Sequence, residues 1–283
     1  MTKEAVKIVF PEGQDKRILK AAEIIAKRGI AVPILINGKA KGCESISVKG
    51  DEIDYAMNLV NEGKADGCIC GAMHSTLKTI RSALHILKSK FASSYLFFPE
   101  KKMFFADCAL NINPDSEQLA QIAEQTAESA KMLGIKPRVA FLSYSTKGSG
   151  KGESVDKVRK AAEIFKARNK SIISDGELQL DAAIVPEVAK LKGSRIIKGD
   201  ANILIFPNLD AGNIGYKIAQ RLGKMHALGP VLQGLKKPIS DLSRGCSVDE
   251  IVEVAKIIVK QAQRKQTRFR VQKMRRHFLA RRK

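Results

Sequence analysis

Ser243, Arg244 and Gly245 set a hydroxyl, a permanent cation and a flexible turn side by side, and Asp249 and Glu250 follow within two helical turns. A guanidinium is a planar fork that matches the oxygens of a phosphate or carboxylate, and a nearby carboxylate can accept a proton as a reaction begins. The combination suits chemistry in which an anionic group is held while a proton is removed close to it.

Three other segments have the composition of anion sites. Ser143 to Gly152, which includes Ser145, Thr146, Lys147, Gly148 and Ser149, lies between an apolar run and a helical pattern. Its glycines accept the positive φ angles that let backbone amides curl around an anion. The Gly-x4-Gly-Lys-Ser/Thr spacing of a nucleotide-binding loop is absent, and serine and glycine are also the ordinary residues of a polar connection. Phe206 to Lys217 follows a strand-like run, and in parallel sheets ligands collect at the carboxyl ends of strands. Asn208, Asn213 and Lys217 would then point at a ligand, although Asn213 could instead cap the next helix. Gly71 to Thr76, with Ser75, Thr76 and then Arg81, is a third segment of the same type, and His74 within it reads as a hydrogen-bonded structural imidazole. Cys68 and Cys70 with His74 lack a second ligand pair, so they read as small residues of a buried strand and no metal is expected.

These side chains need a scaffold, and the chain reads as one of alternating strands and helices. Apolar runs at 6–10, 31–36, 67–72, 138–143 and 202–206 alternate with helical spacing at 16–28, 53–62, 81–87, 116–133, 154–167, 214–222 and 248–263. That rhythm predicts an α/β fold with mostly parallel sheets and helices on both faces. Two runs, 94–98 and 103–106, flank a short polar turn and predict an antiparallel hairpin near a passage between domains. A chain of 283 residues is comfortable for two domains.

Composition narrows the setting. Hydrophobic residues make up 44% of the chain, which argues for a folded protein. No stretch approaches a membrane span, and the first residues lack a secretion signal's apolar core, so a cytoplasmic protein is expected. Five scattered cysteines fit reduced thiols better than a disulfide framework. The formal charge is +21, of which ten Lys and Arg without any acid fall in 264–283. This basic extension reads as a solvated, charge-solubilised segment. An arm for nucleic acid or acidic lipid headgroups, anchored by Phe269, Phe278 and Leu279, is the alternative, disfavoured because no nucleic-acid module stands beside it. The basic body suits anionic small molecules.

Taken together, Ala106-Asp107-Cys108-Ala109, Ser145 to Ser149, Asp175 to Ala183, Phe206 to Lys217 and Leu242-Ser243-Arg244-Gly245 resemble, block by block and in order, the phosphate acetyl/butyryltransferase family. The resemblance extends from Val6 to about Gln263. It implies two α/β/α domains of isocitrate dehydrogenase-like architecture with a cleft between them: residues 1–93 plus 230–263 as a discontinuous, shortened first domain, 94–229 as the second, and 264–283 as an extension outside the family pattern. It implies reversible transfer of an acetyl group between coenzyme A and inorganic phosphate by direct thiolate attack, without metal, bound cofactor or covalent acyl-enzyme, in a homodimer. Arg244 then holds the acetyl phosphate anion, Ser243 orients the reacting groups, Glu250 stands where the family places an aspartate base, Arg81 is a second substrate arginine, and Cys108 is a cysteine near the site that is not a nucleophile. The alternatives are a phosphate butyryltransferase, or a shortened, non-catalytic relative that binds nucleic acid through its tail. Between Asp51 and Leu59 the chain is shorter than the family pattern and lacks an arginine of an Arg-x-x-Lys-Gly segment thought to help bind coenzyme A. The basic extension could partly replace that contact.

Overall fold

The computed structural model describes residues 5–87 and 89–280, and side chains as far as Arg264. The chain divides into two compact units, one formed by Met1–Ser89 with Leu235–Lys283 and the other by Lys90–Gly234.

The first unit opens with β1 (Lys7–Phe10), α1 (Lys16–Lys27), β2 (Val32–Ile36), β3 (Glu44–Ile46), α2 (Glu52–Asn61), β4 (Gly67–Cys70) and α3 (Thr76–Leu87). In the second unit follow β5 (Ser93–Phe98), β6 (Met103–Ala106), α4 (Ser116–Met132), β7 (Arg138–Leu142), α5 (Glu153–Arg168), β8 (Ile173–Leu178), α6 (Leu180–Ile184), α7 (Pro186–Leu191), β9 (Ile203–Ile205), α8 (Leu209–Arg221) and β10 (Leu228–Gln233). The chain then returns to the first unit with β11 (Ile239–Asp241) and α9 (Val248–Ala280).

The sheet of the first unit has the order β3-β2-β1-β4-β11, with every pair parallel. Ile8 to Phe10 of β1 and all of β4 are buried without a charged residue, as strands covered on both faces must be. Helix α1 packs with α9 and α2 with α3, each pair against the strands. The helices begin where carboxylates can take orphan amides: Asp15 accepts from Arg17 N, and Asp51 from Ile53 N and Asp54 N. Along α1, Ile18, Ala21, Ala22 and Ile25 repeat every three to four residues and are the buried face.

The second unit has the order β10-β5-β6-β9-β7-β8, with β5 antiparallel to both neighbours and the rest parallel. Alternate residues divide its two faces. Leu96, Phe98, Phe105, Leu142 and Leu204 form one core against Ala183 of α6 and Ala211 and Ala219 of α8. Phe141 pairs edge-on with Phe165 of α5, ring centroids 5.7 Å apart.

The expected hairpin is present as β5 and β6, joined by one turn of 3-10 helix at Pro99–Lys101. Several elements differ from the sequence expectation. Strands β3 and β11 are only three residues long, too short for a periodic signal, and β3 is a largely exposed edge. Helix α8 starts at Leu209, five residues ahead of the expected 214, because Asn208 caps it and Gly212 lets it press on the loop after β6. The backbone of the basic extension continues α9 to Ala280, whereas the proposed anchors Phe269, Phe278 and Leu279 lie outside the residues whose side chains are described. Among the described residues no helix is long and apolar enough to cross a membrane.

Candidate active site

In the first unit the chemistry-bearing residues gather at the carboxyl ends of three adjacent parallel strands, β1, β4 and β11. Two side chains after β1 tie the three loops together. Glu12, 1% exposed, accepts bonds from Ala72 N, Met73 N and His74 N, each at 2.8 Å, and pairs with His74 Nδ1 at 2.9 Å. Arg17 chelates the Asp15 carboxylate and donates to the carbonyls of Ala72, Arg244 and Cys246 at 3.0, 2.7 and 3.1 Å. The Arg244 backbone is thus held from behind by another arginine, while its own side chain is exposed. Ser243 Oγ accepts from Gly245 N at 3.3 Å, closing the turn. The structure therefore brings Ser243, Arg244, Ser75, Thr76 and α3, which carries the exposed Arg81, into one set of neighbouring loops and helix starts.

Glu250 has a local task as well. Its Oε2 accepts from Ser247 N at 2.7 Å, while Ser247 Oγ accepts from Glu250 N at 3.2 Å, a reciprocal cap at the start of α9. Cys246 is buried, and that burial pushes its thiol up to about 11 against the opposing pull of Arg17. His74 is the structural imidazole expected, and Cys68 and Cys70 are buried residues of β4.

The carboxylate of Asp241, at the end of β11, escaped the sequence reading. It is 1% exposed, and among the described residues neither oxygen has a donor at full hydrogen-bond distance and angle, although the hydroxyls of Thr76 and Thr79 face it. Its Oδ1 lies so close to Gly71 that a Cβ there would stand 2.5 Å from it, and Gly71 itself has a φ of 96°, which glycine alone takes easily. Burial pushes its carboxyl up to about 6, the hydroxyls of Thr76 and Thr79 and the Arg244 charge oppose that rise, and the Glu12 charge adds to it. An acid closing a strand, directly before Leu242-Ser243-Arg244, was the available signal.

In the second unit Asp107 organises the loop after β6. It accepts from the Ser94 hydroxyl, from Ala109 N and Leu110 N at 3.0 and 3.2 Å, and from the Asn111 side chain at 2.5 Å. Cys108 is fully buried, and burial, aided by the Asp107 charge, raises its thiol well above the ordinary range, so it is protonated and inert at neutral pH. Asn208 Oδ1 accepts from Ala211 N at 2.9 Å as the cap of α8, and Asn213 Nδ2 donates to Cys108 O at 3.0 Å. Asn208, not Asn213, is therefore the cap. The exposed Lys217 lies 5.8 Å from the Tyr216 ring centroid.

The glycine-rich loop after β7 does curl around an anion, and the anion is its own Glu177. Gly148 N and Ser145 Oγ reach Glu177 Oε1 at 2.7 and 3.1 Å, and Arg159 Nε reaches Oε2 at 3.1 Å. Burial pushes the Glu177 carboxyl up, yet these donors outweigh it and hold the group at about 2. Lys147 pairs with Asp175, Ser149 Oγ accepts from Thr146 N, and Thr146 Oγ1 accepts from Gln179 N. The loop's inward donors are spent on the scaffold. Its outer side, with Lys147, Lys151 and Arg159, borders an open cavity of about 780 Å³ also lined by Asp156 and Glu163.

A parallel α/β scaffold with an exposed arginine on a turn at its strand ends has the geometry of an anion site. The sequence profile of the phosphate acetyl/butaryl transferase family matches residues 1–47 and 42–259, and the chain belongs to that family. It is 43% identical to the phosphate acetyltransferase of Bacillus subtilis (strain 168), over 91% of this chain and 95% of that one. Among solved structures, a phosphotransacetylase from Streptococcus pyogenes is 39% identical with a TM-score of 0.83, covering 93% of this chain and 96% of that one. A phosphotransacetylase from Staphylococcus aureus is 39% identical with a TM-score of 0.80, over 92% and 94%. The B. subtilis alignment spans 306 positions, more than the 283 residues present, so the relative carries residues that this chain lacks. The two profile matches meet at residues 42–47, which puts the interruption around β3, ahead of the 51–59 expected from sequence.

Proposed function

We infer that the protein is a phosphate acetyltransferase, exchanging an acetyl group reversibly between coenzyme A and inorganic phosphate. The observation that carries this reading is the exposed Arg244 on a turn braced by Arg17, in a chain 43% identical to a phosphate acetyltransferase over 91% of its length. Arg244 and Arg81 would hold the acetyl phosphate anion, with Ser243, Ser75 and Thr76 orienting it. Glu250 would take the proton of the coenzyme A thiol, a group of pKa near ~8.5 that is mostly protonated at neutral pH. Sulfur then bonds to the carbonyl carbon, the carbon–oxygen bond to phosphate breaks, and the electron pair leaves on phosphate, where the guanidinium neutralises it. Cys108 is buried and protonated, which supports direct transfer over an acyl-cysteine. In the second unit, Lys217 and the outward face of the 145–149 loop are the remaining candidates for substrate phosphates.

The shortened segment around β3 supports weaker coenzyme A binding than in relatives that retain it. A homodimer is supported by α8, where Ile214, Ile218 and Leu222 repeat every four residues and are 58%, 53% and 79% exposed. The described cysteines are free and four are buried, which fits a reducing, cytoplasmic setting and a role in acetate metabolism. The reading is tested by incubating purified protein with acetyl phosphate and coenzyme A: acetyl-CoA forms at a rate proportional to enzyme. A folded protein that forms none overturns it.

A further inference from the structure

A buried carboxylate with no full hydrogen bond to either oxygen is costly, and native proteins keep few such groups. Asp241 is such a group, and its position relates it to the reaction. It closes β11, so its backbone leads directly into Leu242, Ser243 and Arg244. One oxygen lies against Gly71 at the start of the β4–α3 loop, leaving no room for a side chain there, and α3 turns the hydroxyls of Thr76 and Thr79 toward the carboxylate.

We propose that Asp241 is a positioning residue whose ionised carboxylate holds the Ser243–Arg244 turn and the start of α3, with Ser75, Thr76 and Arg81, in the arrangement that acyl transfer uses. This rests on the acetyltransferase reading and adds a residue that does not touch substrate. The groups facing Asp241 are Glu12 from the β1–α1 loop, Arg244 from its own loop, Cys70 from β4, and the hydroxyls of Thr76 and Thr79 from α3. The ionised form attracts Arg244 through its charge and draws both hydroxyls more strongly than the protonated form does. A proton on Asp241 removes the attraction to Arg244, weakens that to the hydroxyls and loosens the turn. Desolvation brings this proton on at about pH 6, close enough to neutrality to appear in kinetics. A buried acid used only for packing would be served as well or better by a neutral isostere; one used to set the turn would not.

The test is the pH dependence of kcat and KM for acetyl phosphate between pH 5 and 8, for the wild type, Asp241→Asn and Asp241→Ala. His74→Gln is the control, since imidazoles also titrate in this range. The wild type is expected to show an acid limb in kcat/KM centred near 6, falling about tenfold per pH unit below it. Asp241→Asn is expected to lose that limb and, at pH 7.5, to have kcat/KM reduced about tenfold or more, mainly through KM. His74→Gln keeps the limb. Thermal melting of each variant separates unfolding from mispositioning, and should Asp241→Ala not fold, Asp241→Asn and the wild-type profile still decide. An Asp241→Asn enzyme that retains the limb or wild-type kcat/KM overturns the proposal and leaves the acetyltransferase reading intact. A folded wild type without acetyl transfer overturns both.

Discussion

Two carboxylates with almost no exposed surface, one in each unit, differ in the donors around them and in how deeply they are desolvated. Glu177 is 2% exposed and surrounded by a backbone amide, a hydroxyl and a guanidinium; Asp241 is 1% exposed and has no donor at full hydrogen-bond distance and angle among the described residues. Asp241 lies deeper and is more strongly desolvated, and the two acids part accordingly, at about 2 for the first and about 6 for the second. Depth of desolvation and the donors aimed at the charge together decide whether a buried acid is a structural pin or a group free to respond. The glycine-rich loop has the composition of a phosphate cradle yet binds its own protein. The turn after β11 has fewer glycines yet leaves its arginine outward and its acid unsatisfied.

The largest effect expected along this contrast is at Arg244. Arg244→Ala removes the outward cation and should lower kcat/KM about 100- to 1,000-fold with little change in melting temperature, read in a steady-state assay with acetyl phosphate. An unchanged rate would move the anion site elsewhere.

Glu177→Leu attacks the satisfied acid. It strands Gly148 N, the Ser145 hydroxyl and Arg159 around an apolar side chain and should cost about 2–4 kcal/mol in denaturant unfolding. Because the folded carboxyl is depressed from 4.5 to about 2, its stabilisation is fully present above pH 4.5 and is lost as pH falls toward 2, so the variant should lose less stability on acidification than the wild type.

Asp241→Asn should act in the opposite direction on stability. The wild-type carboxyl is raised from 3.8 to about 6, so the stability tied to its protonated form is present below pH 3.8 and is lost as pH rises through 6. At pH 7.5 the neutral amide avoids that loss and should raise stability by up to about 3 kcal/mol, an advantage that disappears near pH 4. Calorimetry at both pH values checks this, and equal destabilisation at both would erase the distinction between the two acids.

The smallest effect concerns the second unit's surface rather than its interior. Ile218→Lys on the exposed α8 stripe should weaken self-association about tenfold or more while leaving the unit folded, measured by sedimentation at micromolar concentration. A monomeric wild type would remove the dimer from the proposal.

Much of the scaffold was legible along the chain. Strands β1, β2, β4, β7 and β9 are apolar runs punctuated by glycine, proline or asparagine, and α1, α4 and α5 repeat their apolar residues with helical period. Strand β11 was not, since Ile239-Ser240-Asp241 has no run to recognise and becomes a strand only by lying beside β4. The Ser243–Arg244 turn could be picked out because its residue types carry chemistry wherever they sit. The roles of Glu12, Arg17 and Asp241 could not. Arg17 reaches a carbonyl 227 residues away, a contact that exists only because β1, β4 and β11 end side by side.

Residue types and periods alone determined the alternation of elements, the arginine turn and the basic extension, since each is a property of neighbours in the chain, while five ordered blocks carried a resemblance to the phosphate acetyl/butyryltransferase family. Tertiary structure decided which donors meet which acceptors. It turned the 145–149 loop inward onto Glu177 and buried Asp241 with no amide or cation bonded to it among the described residues, because hydrogen bonds and desolvation depend on distances that sequence spacing does not contain.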